Sequence, residues 1–216
     1  MGDQSFYPIT MTMVQRIRKE RCMINDEVFI SEGNSKLGKI PNVSLTPILS
    51  CGSGCSCREK LCYAKRIYAR YPSVRKLWDS NLTLAITDQI QYFSSIHRYL
   101  KARSPEFFRW HVGGDILNPD YLYGMKVIAA DYPKIKFLCF TKMYHLDFVG
   151  CPKNLRMVLS AWPGHPLPRT SLPVAYMQDG TETRVPENAK ECSGACHDCH
   201  ECWNMKQKDA VVFHVH

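Results

Sequence analysis

The distribution of cysteines is the feature of this sequence that most constrains its fold. Eight of the eleven cysteines fall into two short segments. The first cysteine motif comprises Cys51, Cys55, Cys57 and Cys62. The second cysteine motif comprises Cys192, Cys196, Cys199 and Cys202. Cysteines so close in sequence are poorly placed for disulfides with one another, whereas clustered thiols in a reducing compartment commonly bind metal. The two motifs therefore predict metal sites.

Composition favours a cytoplasmic protein with one globular domain. Apolar residues make up 45% and charged residues 22% of the 216 residues. We expect a single domain over 1–216, with an N-terminal extension (1–40), an α/β core (41–180) and a Cys-rich C-terminal tail (187–216) that packs on the core. No apolar run is long enough to cross a membrane, and residues 1–26 lack the apolar stretch of a signal peptide. The predicted partners therefore include no membrane.

Short apolar segments alternate with longer segments of helical spacing. Strands are predicted at 44–49, 107–112, 135–140, 155–159 and 173–177, with a further apolar segment at 211–215. Helices are predicted at 58–70, 80–102, 119–130 and 144–149. This alternation predicts an α/β fold with a parallel sheet, and five or six strands favour an incomplete (β/α) barrel over a closed one.

Polar and glycine residues follow the predicted strands. Cys51 comes after the first strand, Gly113-Gly114-Asp115 after the second, Thr141-Lys142 after the third and Trp162 after the fourth. The carboxyl ends of parallel strands share one edge of a sheet, where α/β proteins place their chemistry. We therefore expect these residues to converge. A structural alternative for Gly113-Gly114-Asp115 is a tight turn whose aspartate caps the next helix.

The spacing in the first cysteine motif favours an iron–sulfur cluster. Its intervals of three, one and four residues differ from the paired C-x2-C pattern of structural zinc. Iron–sulfur clusters accept irregular spacings on compact loops, and the two glycines of this segment allow tight folding. Zinc and a metal-free loop of small buried thiols are the alternatives.

The second cysteine motif has intervals of three, two and two residues, which favour an iron–sulfur cluster but make zinc a stronger alternative than at the first motif. Four cysteines so close in sequence also leave open an exchange of ligands between the two clusters. His197 and His200 lie within it and are interpreted as neighbours rather than ligands. The isolated Cys22, Cys139 and Cys151 are interpreted as packing residues, since free cysteine behaves as a small hydrophobe.

A strand, a cysteine loop, a helix and a strand ending in Gly113-Gly114-Asp115 together resemble the radical S-adenosylmethionine (SAM) superfamily. In that superfamily three cysteines hold a [4Fe-4S] cluster with one open iron, and a Gly-Gly-Glu-like motif contacts the methionine amino group. The resemblance implies that Gly113, Gly114 and Asp115 bind SAM. The interval between Cys55 and Cys57 is one residue shorter than the usual spacing. Four cysteine ligands would leave no open iron, which implies an electron carrier or a structural cluster instead.

Over residues 40–216 the chain is also similar to a phage gene-product family. The shared features are Cys62-Tyr63-Ala64, Gly114-Asp115, Thr141-Lys142 and a C-terminal cysteine segment ending in Trp203. The resemblances imply one or two [4Fe-4S] clusters in a redox or electron-transfer protein with a redox partner, located in the host cytoplasm if phage-encoded. The alternatives are an active radical SAM enzyme acting on nucleic acid or peptide and a zinc-stabilised nucleic-acid-binding module.

A basic segment follows the first cysteine motif. Seven lysines and arginines lie between Arg58 and Lys76, with Tyr63, Tyr68 and Tyr71 among them. This pattern fits a phosphate-binding face for nucleic acid or a solvated helix face. The formal net charge of +8 would fall to about +4 if each of two bound clusters contributed about −2.

Overall fold

The computed structural model describes residues 27–52, residue 55 and residues 62–214. In this part the chain forms one eight-stranded sheet with helices around it. The strands are β1 (Ile30–Ser31), β2 (Asn42–Val43), β3 (Phe107–Trp110), β4 (Lys136–Thr141), β5 (Leu155–Ala161), β6 (Val174–Gln178), β7 (Lys190–Glu191) and β8 (Ala210–His214). The helices are α1 (Tyr63–Arg70), α2 (Pro72–Thr87), α3 (Gln89–Arg103), α4 (Pro119–Asp131), α5 (Cys196–Cys199) and α6 (Glu201–Asn204).

The sheet is parallel except at one edge. Its strand order is β1-β2-β3-β4-β5-β6-β8-β7, and β1 alone pairs antiparallel, with β2. Strands β2 to β6 follow one another in chain order, so their carboxyl ends lie along one edge. The predicted α/β class with a parallel sheet is thus confirmed. Among the described strands no pairing joins β1 to β7.

Different parts of the chain pack on the two faces of the sheet. The long helices pack on one face, where inward residues of β3 and β4 such as Phe108, Trp110 and Phe137 are fully buried. The cysteine-rich tail packs on the opposite face, where Trp203 and Met205 contact Leu138 of β4, Val158 of β5 and Val211 of β8. Because successive side chains of a strand point to opposite faces, each strand contributes to both cores.

Two predicted elements are wrong. Residues 44–49 form an irregular segment and a turn at 47–49 rather than a strand, since Pro47 lacks a donor and Ile48 adopts a φ of +72°. Residues 144–149 form turns rather than a helix, because the Asp147 carboxylate accepts a hydrogen bond from the Val149 N–H at 2.8 Å and so competes with helical bonding.

The helix predicted at 80–102 forms as parts of two helices, α2 and α3. Their junction is Asp88, which has a non-helical φ of −151° and caps α3 by accepting from the Gln91 N–H at 2.9 Å. A side-chain oxygen at this position accepts a hydrogen bond from a backbone N–H of the first turn, which has no partner within α3.

Asn154 joins α4 to the start of β4. Its side-chain nitrogen lies 2.9 to 3.0 Å from the carbonyl oxygens of Ala129, Tyr132 and Ile135. We expect Asn154→Ala to lower the free energy of unfolding by about 2 kcal/mol, because partly buried carbonyls lose their donor. Urea unfolding followed by circular dichroism measures this loss.

Asn204 provides the matched control for that measurement. Its side chain also donates to a carbonyl, that of His200 at 3.1 Å, but it is exposed. Asn204→Ala should therefore change the free energy of unfolding by less than about 0.5 kcal/mol. Equal losses in the two variants would contradict a bracing role for Asn154.

Candidate metal centres

The segment after β2 is fixed against the end of β3. Ser44 Oγ accepts from the N–H groups of Val112 and Gly113 at 3.2 Å each, and the Leu45 N–H donates to the Gly113 carbonyl at 2.9 Å. Ser50 is buried and donates its hydroxyl to the Thr46 carbonyl at 2.7 Å. These bonds place the start of the first cysteine motif at the carboxyl edge of the sheet.

Three cysteines of the first motif come together. Cys51, Cys55 and Cys62 pack with Trp162, which follows β5, and with Met177 near the end of β6. Cys55 is only 7% exposed. A side-chain hydrogen bond with Cys55 and burial raise the pKa of the Cys51 thiol. Cys57 lies outside the described residues. The motif thus presents neighbouring thiols packed beside two large apolar side chains.

Cys62 also begins the next helix. Its sulfur accepts from the Lys65 N–H at 3.4 Å, which makes it the N-cap of α1. The Tyr63 hydroxyl donates to the carbonyl of Val112, just after β3. The start of α1 is therefore attached both to the cysteines and to the loop that contains Gly113.

Gly113 and Gly114 allow close packing around the first cysteine motif. A Cβ on Gly113 would lie 2.6 Å from the Trp78 ring. Gly114 has a φ of +86°, and a Cβ there would lie 2.4 Å from Ser50 Oγ, directly before Cys51. Both glycines are thus required by neighbouring protein atoms. Their predicted contact with a cofactor stays a prediction.

Asp115 links the ends of β3 and β4. It is only 4% exposed, and its Oδ1 accepts from the Thr141 hydroxyl at 2.7 Å and from the Ile116 N–H at 2.8 Å. Its Oδ2 accepts from the Lys142 N–H at 2.9 Å. Burial raises the pKa of the carboxyl, opposed by the Lys142 charge and these donors. The cap of α4 is instead Asn118, which accepts from the Tyr121 N–H at 2.8 Å.

These bonds connect Gly114-Asp115 to Thr141-Lys142. The carboxylate of the first pair holds the backbone of the second. The Lys142 ammonium lies 4.7 Å from the centre of the Trp162 ring, beside the first cysteine motif. A cation is therefore positioned next to the thiols by a buried aspartate.

The second cysteine motif lies on the tail side of the sheet. Burial, together with the neighbouring charges of Cys192, Cys196 and Cys199, raises the pKa of Cys202 to about 12. The Cys196 N–H donates to the Lys36 carbonyl at 2.9 Å, which attaches α5 to the segment before β2. All four thiols are thus close enough to interact electrostatically.

The two histidines of this motif contact other groups. The His200 ring stacks on Phe107 with centroids 4.1 Å apart. His197 is exposed and lies 3.2 Å from the Asp198 carboxylate. Among the described residues, no group of three or more histidine, cysteine, aspartate or glutamate side chains is arranged to hold a metal ion.

Arg109 is the notable charged neighbour of the second motif, and sequence reasoning gave it no role. Its guanidinium lies 5.0 Å from the Phe140 ring, and its charge acts to lower the pKa values of Cys196 and Cys202. Its Nε is buried without a hydrogen-bond partner in the described part of the chain. A buried donor beside four thiols fits an anionic group. In the sequence, only the alternation of Arg109 with Phe108 and Trp110 indicates that its side chain points to the tail side of the sheet.

The isolated cysteines differ in their surroundings. Cys139 is fully buried in β4, with its sulfur 3.9 Å from His111 Nδ1, and Cys151 is half-buried. Cys22 lies outside the described residues. Cys139 belongs to the core beneath the long helices, as expected for a packing residue.

A buried polar chain that the sequence did not reveal starts at His111. The residue has a φ of +56°, and its Nε2 lies 3.0 Å from the Tyr121 hydroxyl, which lies 2.7 Å from that of Tyr92. Burial and the nearby Arg109 charge lower the pKa of His111 to about 3. The imidazole is therefore neutral at physiological pH.

This lowered pKa predicts a pH-dependent stability. Between about pH 6.5 and 3 the unfolded chain binds a proton at His111 that the folded chain does not, so stability falls as the pH falls. We expect a loss of about 1 kcal/mol from this residue between pH 7 and 5.5, measured by urea unfolding. In His111→Asn, which tolerates positive φ, that part of the pH dependence should vanish. An unchanged pH dependence would contradict the assignment.

Comparison with known proteins identifies a family. The gene product 88 family model matches residues 18–205, which include both cysteine motifs and Gly113-Gly114-Asp115. The match agrees with the phage gene-product resemblance and begins before residue 40, where that resemblance starts. No curated protein and no solved structure matches. In the described residues no helix is long and apolar enough to cross a membrane. The chain belongs to the gene product 88 family.

Proposed function

We propose that this protein binds a [4Fe-4S] cluster at the first cysteine motif and acts in electron transfer or another redox role. The observation that supports this most is the packing of Cys51, Cys55 and Cys62 against Trp162 and Met177 at the carboxyl edge of a parallel sheet. Thiolates are the ligands that iron–sulfur clusters use, and apolar walls limit the access of water to them.

The strand order supports a radical-SAM-like arrangement. Parallel strands in chain order, β2 to β6, place the cysteine loop and the Gly113-Gly114-Asp115 turn on neighbouring strands of one edge. The connections from β2 to β3 and from β3 to β4 contain helices α1 to α4, of which α2 to α4 pack on one face, as in an incomplete (β/α) barrel. We therefore retain the radical-SAM-like fold as part of the proposal.

The chain's own residues have defined tasks in this proposal. The cluster, when bound, would accept and donate single electrons. Trp162 and Met177 shield it from water, and Lys142 places a positive charge beside the anionic thiolates. Asp115 positions Lys142 by accepting a hydrogen bond from the Lys142 backbone N–H. Replacing Lys142 should therefore change the reduction potential more than the iron content.

A second cluster at the second cysteine motif is part of the proposal. Four thiols there interact with one another, and Arg109 contributes a buried, unpartnered donor within the described chain. A four-thiolate cluster carries about two negative charges, which such a donor would stabilise. Four-thiolate zinc has a similar charge, so zinc is the alternative occupant of this site.

An active radical SAM enzyme is the second candidate function. It requires that only three of the four cysteines in the first motif bind the cluster, since three ligands leave one iron of a cubane open. The Gly113–Asp115 turn adjoins Cys51, whose pKa the Asp115 charge helps to raise. A reduced cluster held by these cysteines would supply the electron for cleavage of SAM into methionine and 5′-deoxyadenosine, whose added hydrogen atom would come from the substrate.

Electron paramagnetic resonance of anaerobically reconstituted, dithionite-reduced protein tests both candidates. A [4Fe-4S]¹⁺ signal supports the iron–sulfur proposal, and its change on adding SAM, with release of 5′-deoxyadenosine, supports the enzyme. A signal that SAM leaves unaltered favours the electron carrier. A spectrum without any cluster signal in a zinc-containing protein would overturn both and leave a zinc-stabilised binding module.

A further inference from the structure

We propose that the surface formed by α1 and the start of α2 binds single-stranded nucleic acid next to the first cysteine motif. This inference deepens the proposed function, on which it rests for the role of the adjacent cysteines, by naming the class of partner. We call the surface the basic face and define it by Tyr63, Arg70, Tyr71, Arg75 and Lys76.

The basic face carries charge of one sign. Residues 62–78 contain five lysines and arginines and no aspartate or glutamate. Arg70, Arg75 and Lys76 are exposed, and none of them forms a salt bridge within the described chain. The next acid, Asp79, is bonded inward to the hydroxyls of Thr46 at 2.6 Å and Tyr68 at 2.8 Å. The surface therefore attracts anions.

Aromatic rings alternate with these charges. Tyr63 is 41% and Tyr71 is 46% exposed, which is high for large side chains. The Arg70 guanidinium lies 5.6 Å from the centre of the Tyr71 ring, and that of Arg75 lies 5.9 Å from the Tyr68 ring. Base stacking on aromatic and guanidinium planes needs unstacked bases, which single strands offer and duplexes do not. Rings and cations together favour nucleic acid over an acidic peptide.

The basic face is connected to the first cysteine motif. Cys62 caps α1, and Tyr63 bonds to the Val112 carbonyl beside Gly113. Trp78, which stacks with Tyr68 at 6.5 Å, contacts Gly113 closely. A strand that follows α1 toward its amino end therefore reaches the cysteine site.

Fluorescence anisotropy with a labelled single strand of about 15 nucleotides, as DNA and as RNA, tests the inference. We expect a Kd of about 1 μM at about 50 mM salt. The combined substitutions Arg70→Gln, Arg75→Gln and Lys76→Gln should weaken binding at least about tenfold. They should also reduce the slope of log affinity against log salt by about 2, at about 0.7 per lost contact. Tyr71→Ala should weaken binding about tenfold through lost stacking.

The matched control removes the same charge elsewhere. Lys101, Lys134 and Lys153 are exposed and form no salt bridge in the described chain, so their combined change to glutamine tests net charge alone. Affinity and slope should stay within about twofold of the original protein. Circular dichroism and urea unfolding of both variants verify that the fold is kept.

Three results would overturn the inference: no binding at low salt, equal weakening in both triple variants, or competition by polyglutamate as strong as that by unlabelled oligonucleotide. Iron analysis of the unsubstituted, anaerobically purified protein, run beside the same titration, separates the inference from the proposed function. Binding that persists in protein without iron supports the basic face and contradicts the iron–sulfur proposal. Iron–sulfur protein that binds no strand supports the iron–sulfur proposal and contradicts nucleic-acid binding by the basic face.

Discussion

Replacing Cys51 and Cys55 together with alanine is expected to lower bound iron from about eight to about four atoms per chain, with acid-labile sulfide falling in parallel. The two thiols are hydrogen-bonded neighbours, so their loss removes adjacent ligands of one cluster. The second cysteine motif has different neighbours, Phe107 and Phe140 on the tail side of the sheet, and should keep its cluster. Iron and sulfide assays on anaerobically purified protein measure this effect.

The reciprocal variant and a neutral variant complete this experiment. Cys196→Ala with Cys202→Ala should leave about four iron atoms at the first motif. Cys151→Ala removes a half-buried thiol outside both motifs and should leave the iron content unchanged. Loss of all iron in either double variant would contradict two independent sites, and an unchanged content would show that these cysteines are not ligands.

Asp115→Ala is expected to lower the free energy of unfolding by about 3 kcal/mol. The substitution leaves the Thr141 hydroxyl and the Lys142 and Ile116 N–H groups without their acceptor at a buried site. Each unsatisfied buried donor costs about 1 kcal/mol or more. Urea unfolding followed by tryptophan fluorescence measures the loss.

Thr141→Val gives the comparison for Asp115. It removes one of the three donors while nearly keeping the side-chain shape, so a loss of about 1 kcal/mol is expected. Because the two residues bond directly, the double variant should be less destabilised than the sum of the single variants. Strict additivity, or a loss below about 1 kcal/mol for Asp115→Ala, would contradict the role of this carboxylate in joining β3 to β4.

The sheet was predictable because its strands are buried on both faces. Residues 107–112 form an alternating, aromatic segment and residues 135–140 and 155–159 are mostly apolar; each became a strand within two residues of its predicted bounds. The segment 44–49 looked similar, yet β2 ends at Val43. Ser44 and Leu45 bond to the loop after β3 instead of continuing the ladder. Such tertiary bonds leave no periodic signal in the sequence.

The site was predictable in its location more than in its contacts. Cys51 and Asp115 were both placed at the carboxyl edge by the rule of strand ends, and the Asp115 charge acts on Cys51. The bonds of Asp115 to Thr141 and Lys142 connect residues far apart in sequence, which composition and spacing do not encode. Arg109 was equally hidden, because only the fold brings β3 against the tail.

The most direct test of the iron–sulfur proposal is the content of iron, zinc and acid-labile sulfide in the full chain purified without oxygen. The proposal predicts brown protein with iron and sulfide each near about eight per chain, or near about four if the second motif is occupied by zinc. Colourless protein with stoichiometric zinc and no sulfide would contradict it.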